Sequence, residues 1–199
     1  GVFQVGREGA HGVLVDGGST IDVSNVTVRG VWGDCFYVGG WADGVSFHDS
    51  TCSSNGRNGV TVTSARNLTV QRVAFPKAGY CTFDIEPNTS SEGASNIRFL
   101  DNTAGSWSNS FLSAEGASGS VVNGVTVSGN TVTGASLVTI IQLARRQNIV
   151  FTNNTSLVSD NGPVLRFAHI DGLTVTGNVQ PLSSGSLASI TDSTSVTYR

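Results

Sequence analysis

The chain has 199 residues, which is enough for one domain with its own core. Only 13% of the residues are charged and the formal net charge is -3, so we expect no basic surface for a phosphate backbone and no nucleic-acid partner. The longest apolar runs, such as 136–144, fall far short of the roughly 20 residues that cross a bilayer, so we expect no membrane insertion.

A four-residue phrase recurs along the chain, in which two apolar residues flank a polar one after Asn, Gly or Ser. The copies are NVTV at Asn25, GVSF at Gly44, NLTV at Asn67, NIRF at Asn96, GVTV at Gly124, NIVF at Asn148, GLTV at Gly172 and SVTY at Ser195. Successive copies start 19 to 29 residues apart. Repeats of this length predict a solenoid of stacked units.

Each unit also contains a second run with strand-like alternation. In chain order these runs are GVLVDG, CFYVGG, GVTVTS, TFDIEP, SFLSAE, LVTIIQ, VLRFAH and LASITD. No window has a sustained apolar stripe at helical spacing, so we expect almost no helix. Short strands of this kind bury their apolar face only when successive coils stack on one another.

The repeat phrases, and the segment 53–70 followed by FDIEPN, resemble the right-handed parallel β-helices of the pectate-lyase-like superfamily. That group includes polysaccharide lyases and hydrolases, epimerases, and phage tailspikes and tail fibres. The resemblance implies an all-β fold, a right-handed parallel β-helix solenoid of about eight coils. A β-sandwich rarely repeats one phrase eight times, and the leucine-asparagine frame of a leucine-rich solenoid is missing. The calcium-site and WiDH-type motifs of pectate lyases and the DPHE signature of epimerases are also missing, so neither activity is transferred.

The domain boundaries and the cysteines give two further expectations. We expect residues 1–199 to form a single parallel β-helix domain that is a fragment of a longer protein, because the sequence has no methionine and no visible signal peptide. Cys35, Cys52 and Cys81 have neither CxxC spacing nor the density of a disulfide scaffold. We predict that they are small buried apolar side chains, with at least one thiol unpaired because their number is odd.

Stacking of the second runs places three carboxylates on one outward face. In this alignment Asp84 and Glu86 lie two residues apart on one strand, and Glu115 lies beside Glu86 on the next. Residues two apart on a strand are separated by about 6.5–7 Å, and neighbouring strands by about 4.8 Å. We therefore predict a catalytic cluster of Asp84, Glu86 and Glu115 with at least one raised pKa. Such a cluster suits glycoside cleavage, or oxygen ligation of Ca²⁺, although we assign no metal ligands.

Aromatic and basic residues in the neighbouring turns predict substrate contacts. Tyr80 and Trp107 fall just before outward-facing strands, and Tyr37 lies on one. With Arg57 they form the predicted substrate-binding set. Further cations that could neutralise an acidic sugar are Arg72, Lys77 and Arg98.

Simpler interpretations of the same residues stay open. Outward positions of a soluble β-helix are normally polar, so each acid could be only a solvated side chain. His48 could be a general base or a surface residue beside Asp49, and His11 and His169 have no partner that the sequence predicts.

The leading hypothesis is a carbohydrate-binding or carbohydrate-cleaving domain, similar to a polysaccharide lyase or glycoside hydrolase, of a phage tail protein or a secreted bacterial enzyme. The expected partner is a polysaccharide, with self-association as a homotrimer as a second option, and the expected location is extracellular or in a virion tail. The alternative is a non-catalytic structural spacer of a virion tail or surface assembly. Fold alone does not decide between these functions.

Overall fold

The computed structural model describes residues 5–199, and this range contains strands and turns but no helix, hence none able to cross a membrane. The strands are β1 Val13–Asp16, β2 Ser19–Ser24, β3 Thr27–Arg29, β4 Phe36–Gly39, β5 Ala42–His48, β6 Thr51–Ser53, β7 Val60–Val62, β8 Ala65–Gln71, β9 Ala74–Lys77, β10 Cys81–Ile85, β11 Gly93–Leu100, β12 Thr103–Ser106, β13 Ser110–Ser113, β14 Val121–Ser128, β15 Thr131–Val132, β16 Thr139–Ile141, β17 Arg146–Thr152, β18 Thr155–Ser156, β19 Asp160–Asn161, β20 Leu165–Ala168, β21 Ile170–Thr176, β22 Leu182–Ser184, β23 Ala188–Thr191 and β24 Thr194–Tyr198.

Each coil supplies one strand to each of several parallel sheets that run along the stack. Sheet A has the order β1-β4-β7-β10-β13-β16-β20-β23, and sheet B has the order β2-β5-β8-β11-β14-β17-β21-β24. Sheet C contains β3, β6, β9, β12, β15 and β18, and β19 pairs with β22 in a short further sheet. Neighbouring strands in sheets A and B come from successive coils and pair in parallel. The predicted parallel β-helix of about eight coils is therefore confirmed over the described residues.

A residue with positive φ opens the repeat phrase in every coil. In chain order these residues are Thr20, Gly44, Asn67, Asn96, Gly124, Asn148, Gly172 and Ser195, all in sheet B strands. Glycine adopts this left-handed conformation freely and Asn tolerates it better than most residues, which explains the composition of the phrase start.

The first copy of the phrase was assigned to the wrong segment. Ile21 pairs with Val45, and Val23 with Phe47, so TIDV from Thr20 precedes GVSF from Gly44 in sheet B, 24 residues before it. NVTV instead enters sheet C, where Val28 pairs with Cys52. The two segments look alike because Asn25 also has a positive φ, of 56°, at the next corner of the coil.

The predicted alignment of the second runs is correct in sheet A. Phe83 pairs with Val60 on one side and Leu112 on the other, and Asp84 pairs with Thr61 and Ser113. Beyond Ser136, where the sequence fitted two alignments, Thr139 takes the inward position beside Leu112. The sequence pattern did not predict this register, because a fully buried threonine takes a position that is otherwise apolar. The Thr139 hydroxyl donates to the Leu137 carbonyl at 3.1 Å.

Phenylalanine rings fill the interior at the level of the middle coils. The Phe83 ring stacks on Phe99 at 4.2 Å between centroids and meets Phe75 and Phe111 edge-on at 5.4 and 5.2 Å. All four rings are fully buried. Burial of a side chain of this kind contributes about 1.5–3 kcal/mol to the free energy of unfolding, so this cluster stabilises the inner face of sheet A.

A buried asparagine ladder supports the corner between sheets B and C. Asn102, Asn130, Asn154 and Asn178 are linked in series by amide hydrogen bonds of 2.8–3.0 Å. Their side chains also donate to backbone carbonyls, for example from Asn130 to Phe99 at 3.0 Å.

The three cysteines are buried and one thiol is unpaired, as predicted, but the sequence did not predict a disulfide between the other two. Cys35 and Cys52 form a disulfide, with Cα atoms 5.8 Å apart, while Cys81 is free and buried. Cys35 precedes β4 and Cys52 lies in β6 of the same coil, so the coil itself brings them together. Their separation of 17 residues did not reveal this contact.

Connections from sheet A to sheet B differ in length between coils. Two residues link β7 to β8, whereas residues 86–92 link β10 to β11 and residues 114–120 link β13 to β14. The two longer connections account for the widest spacings between repeat phrases, 29 and 28 residues. Both project beside the outer surface of sheet A.

Candidate functional site: a carboxylate cleft on sheet A

A depression on the outside of sheet A, here called the sheet A cleft, runs across several coils. Its central part has a volume of about 500 Å³ and is lined by Tyr80, Asp84, Glu86, Pro87, Asn88, Asn109, Ser113, Glu115, Gly116, Ala117, Ile140 and Leu143. A first-coil part of about 250 Å³, which contains His11, Tyr37, Arg57 and Thr63, shares Glu86 and Asn88 with it. An apolar part of about 380 Å³ shares Tyr80 with the central part. The cleft is therefore elongated along the stacking axis.

Asp84 lies at the floor of the central part with 4% of its surface exposed. The sequence left open whether it was a solvated side chain, and the structure shows that it is buried. Burial raises the pKa of Asp84 to about 8, and the neighbouring carboxylate of Glu86 also raises it, against the opposing effects of Arg57 and of hydrogen bonds from Ser113 and Asn58. The carboxyl group of Asp84 is therefore protonated at neutral pH. The predicted raised pKa in this cluster falls on Asp84.

Glu86 is paired with a cation and is partly open to solvent. An Arg57 Nη2–H donates to Glu86 Oε1, and Arg57 Nη1 lies 3.1 Å from Oδ2 of the buried Asp34. Burial alone would lower the pKa of Arg57, but Asp34 and Glu86 outweigh it and raise that pKa. Since 24% of the Glu86 side chain is exposed, the strand presents a protonated acid and a solvent-accessible, cation-paired glutamate two residues apart.

Asn58 orients Asp84, and sequence reasoning missed it. The Asn58 side chain is fully buried; its Oδ1 accepts the backbone N–H of Cys81 at 3.0 Å. Its Nδ2 therefore faces outward and donates to Asp84 Oδ2 and to the Thr61 hydroxyl, both at 3.0 Å. The repeat register could have revealed Asn58, because it lies two residues before the first residue of β7, the sheet A strand next to Asp84.

Glu115 lies in the central part, as predicted, but its contacts differ from the expected ones. Its two carboxylate oxygens accept the backbone N–H groups of Gln142 and Leu143, each at 2.7 Å. The charges that shift the pKa of Asp84 come from Glu86 and Arg57. Glu115 thus fixes the connection after β16, which forms one wall of the cleft. We do not assign Glu115 a part in shifting the pKa of Asp84 or Glu86.

Of the predicted substrate-binding aromatic residues, the two tyrosines line the cleft and the tryptophan does not. Tyr80 is 48% exposed and stands between the central and apolar parts, and burial of its hydroxyl end raises its pKa. Tyr37 borders the first-coil part, and its hydroxyl shares a hydrogen bond with the Thr63 hydroxyl at 3.1 Å. Trp107 packs on Phe111 at 5.6 Å and against the core, and it does not line the cleft.

His11 is a cleft residue for which the sequence predicted no partner. Its ring stacks on Tyr37 at 4.5 Å between centroids, and its Nδ1 lies 3.3 Å from Oδ2 of Asp34. Asp34 in turn accepts the backbone N–H of Asn58 at 2.9 Å. One buried carboxylate thus connects His11, Arg57 and the residue that holds Asp84.

Three predicted cations lie on other faces of the coil. Arg72 is bound to Asp49 through two hydrogen bonds of 2.7 Å beside sheet B, Arg98 projects from β11 in sheet B, and Lys77 ends β9 in sheet C. The expectation that these side chains could neutralise an acidic sugar at the same site is wrong, because each coil turns a corner between them and sheet A. Arg57 is the one predicted cation that reaches the cleft.

His48 also lies away from the cleft. It ends β5 in sheet B, with Nδ1 2.6 Å from Asp49 and Nε2 2.9 Å from Asp22. The hydrogen bond that His48 donates to the Asp49 carboxylate, followed by the effects of Asp22, raises the pKa of His48. Its contacts are those of a surface charge network, in line with the simpler of the two interpretations.

No group of three or more His, Cys, Asp or Glu side chains is arranged to hold a metal ion anywhere in residues 5–199. No step below depends on a metal ion.

Comparison with known proteins agrees with the fold. The family model described as "right handed beta helix region" matches residues 11–197. Neither the curated proteins nor the solved structures gave a match. The family match covers nearly the whole chain and supplies the handedness that goes with the stacked parallel sheets. The chain belongs to the family of right-handed β-helix proteins.

Proposed function

We propose that this domain binds a polysaccharide in the sheet A cleft and cleaves its glycosidic bonds. The observation that carries the proposal is the unequal environment of Asp84 and Glu86, one buried with a raised pKa, the other partly exposed and held by Arg57. Two carboxyl groups whose surroundings separate their protonation states are the working pair of a general acid and a general base.

The chemistry follows from that pair. Asp84 donates its proton to the glycosidic oxygen as the bond to the anomeric carbon breaks. Glu86 accepts a proton from a water molecule, whose oxygen then bonds to the anomeric carbon. The Cα atoms of residues two apart on a strand are separated by about 6.5–7 Å, a spacing compatible with the range of about 6.5–9.5 Å between carboxyl groups that leaves room for this water. The outcome is hydrolysis with inversion at the anomeric carbon.

The cleft supports the remaining requirements of such an enzyme. The half-exposed Tyr80 ring offers a flat apolar surface to a sugar face, and Asn88 and Asn109 offer amide groups to its hydroxyls. The Cys35–Cys52 disulfide favours an oxidising compartment, in keeping with a secreted enzyme or a phage tail protein outside the cell. A homotrimer stays a proposal without a contact to support it.

Turnover by the parent protein and by acid variants tests the proposal. A broad panel of polysaccharides is incubated with the parent, with Asp84→Asn and with Glu86→Gln, and reducing and unsaturated ends are measured. We expect saturated reducing ends from the parent, and a loss of at least a hundredfold in each variant, since acid-base catalysis contributes about 10²–10⁴. Asp22→Asn, which alters an exposed acid on sheet B, is the matched control and keeps full activity.

The alternative of a structural spacer makes the opposite prediction. If the parent neither binds nor cleaves any member of the panel, the domain has no carbohydrate function and the spacer is favoured. Circular dichroism and thermal unfolding of each variant show whether any loss of activity reflects a loss of the fold.

A further inference from the structure

We propose that the sheet A cleft selects an uncharged polysaccharide and rejects polyuronates, an inference that depends on the proposed carbohydrate function. It narrows the substrate to neutral glycans and separates hydrolysis from the elimination chemistry that uronic acids undergo. The inference comes from the charges that line or support the cleft.

The cleft has more carboxylates than cations. Glu8, Glu86 and Glu115 line it and Asp34 lies buried behind it, whereas the nearby guanidinium groups are those of Arg57, which lines it, and of Arg146, which is buried inside the coil. Asp84 does not add to this negative charge at neutral pH because it is protonated. A sugar carboxylate placed near Glu86 or Glu115 would therefore meet repulsion at close range.

Neither cation is free to receive a sugar carboxylate. Arg57 already donates to Asp34 and Glu86. Arg146 is fully buried, and its guanidinium donates to the carbonyls of Ala114 and Ser120 at 2.9 and 3.1 Å inside the coil. Abstraction of the proton next to a uronate carboxylate requires that carboxylate to be neutralised, and neither arginine is free for this purpose. The His11 ring in the same cleft already faces Asp34, with Nδ1 3.3 Å from Oδ2.

The groups that are available suit hydroxyls. Asn88, Asn109 and Ser113 line the central part, and Ser108 lines the apolar part beside Tyr80. Neutral amides and hydroxyls both donate and accept hydrogen bonds, as sugar hydroxyls do. The apolar part, bounded by Gly56, Gly79 and the Tyr80 ring, favours the uncharged face of a sugar ring.

Binding of matched oligosaccharides tests this inference without turnover. The Asp84→Asn variant is used because it removes the acid and leaves the charge of the cleft at neutral pH unchanged. Isothermal titration calorimetry measures its affinity for uncharged glucan, galactan, mannan and xylan oligosaccharides, and for C6-oxidised uronate counterparts of the three hexose series. We expect at least one neutral series to bind, and its oxidised counterpart to bind at least tenfold more weakly.

Two further measurements identify the cause of the discrimination. Methyl esterification of the oxidised ligand removes its charge and restores binding to within about threefold of the neutral parent. Raising NaCl from 20 to 500 mM narrows the difference between the pair, because salt screens exposed charges. Xylan, which has no C6 hydroxyl, is compared instead with xylan that carries glucuronic acid branches.

The outcomes separate the inference from the proposed function. Equal or tighter binding of an oxidised ligand overturns the selection of neutral glycans but leaves a carbohydrate site in place. Failure of every ligand to bind, to the variant and to the parent alike, overturns the proposed function and the inference with it. Release of unsaturated ends by the parent from a uronate also contradicts the inference.

Discussion

The Nδ2 atom of Asn58 lies 3.0 Å from Oδ2 of Asp84, and both side chains are buried. Because the other end of the amide accepts the Cys81 N–H, the donor cannot turn away from Asp84 without losing a second bond. This donor stabilises the ionised form of Asp84 and so opposes the effect of burial. We predict that Asn58→Ala raises the pKa of Asp84 further and moves the alkaline limb of the pH-rate profile to higher pH.

The same substitution leaves buried groups unpaired and should cost about 1–3 kcal/mol in free energy of unfolding. Asn130→Ala is the matched control, since Asn130 is equally buried in the ladder away from the cleft. It should lose similar stability with no change in the pH-rate profile. An unchanged profile in Asn58→Ala would show that this amide does not influence Asp84.

The raised pKa of Asp84 makes stability depend on pH. Its ordinary value is 3.8 and the folded value is about 8, so between these values the folded protein holds one proton more than the unfolded chain. The contribution of Asp84 protonation to the free energy of unfolding is therefore fully present below pH 3.8 and is lost as the pH rises to about 8. We expect Asp84→Asn to gain stability relative to the parent over this range, on the order of 3 kcal/mol between pH 5 and pH 8.

Urea unfolding of the parent and Asp84→Asn at pH 5, 6.5 and 8 measures this difference. The comparison of two variants removes the contribution of other groups, such as Asp49, whose pKa is lowered by Arg72. A constant difference across the three pH values would mean that Asp84 titrates in its usual range. Activity of the parent should also fall above about pH 8, as the acid loses its proton.

The Cys35–Cys52 bond predicts a specific thiol count. Alkylation of the native protein should modify no cysteine, because Cys81 is buried and burial raises its pKa to about 11. Alkylation in denaturant without reductant should modify Cys81 alone, because the other two cysteines are bonded to each other. The Cys35→Ser, Cys52→Ser double variant should lose about 3 kcal/mol in free energy of unfolding, as expected for a loop of this length. Three alkylated thiols in unreduced protein would contradict the bond.

Arg146 and Arg145 are adjacent in sequence but differ in surroundings. Arg146 occupies an inward position with no exposed surface and holds two carbonyls of the connection that carries Glu115, whereas the Arg145 side chain is 61% exposed and pairs with Asp171. Arg146→Ala should cost about 3 kcal/mol or more in free energy of unfolding, because buried carbonyls lose their donors. Arg145→Ala, the matched control, should cost less than about 1 kcal/mol. Equal losses in the two variants would refute this account of Arg146.

The fold was largely predictable because each coil repeats the same physical requirement. Two apolar residues must point inward in sheets A and B, and one residue at the phrase start must accept a positive φ, so both features recur in the sequence. The error at Asn25 arose because a second corner of the coil makes the same demand as the first. Pattern alone cannot tell two such corners apart when only two residues separate β2 from β3.

The site was predictable only where it follows the strand. Asp84 and Glu86 share an outward face because of strand alternation, and that face was correctly assigned. Burial of Asp84 was not predictable, since it depends on Asn58 from the preceding coil and on the connections that cover the strand. The position of Trp107 and the disulfide between Cys35 and Cys52 were missed for the same reason, since each depends on how a corner folds.

The long connections after β10 and β13 form walls of the cleft, whereas the strands set the positions of the acids. The acids stand on strands whose spacing is dictated by the coils on either side, so their mutual geometry resists change. The walls beside them are surface segments that can gain or lose residues without moving any rung of the stack. Under the proposed function, related chains exchange one sugar preference for another by altering residues 87–92 and 116–120, while Asp84 and Glu86 stay unchanged.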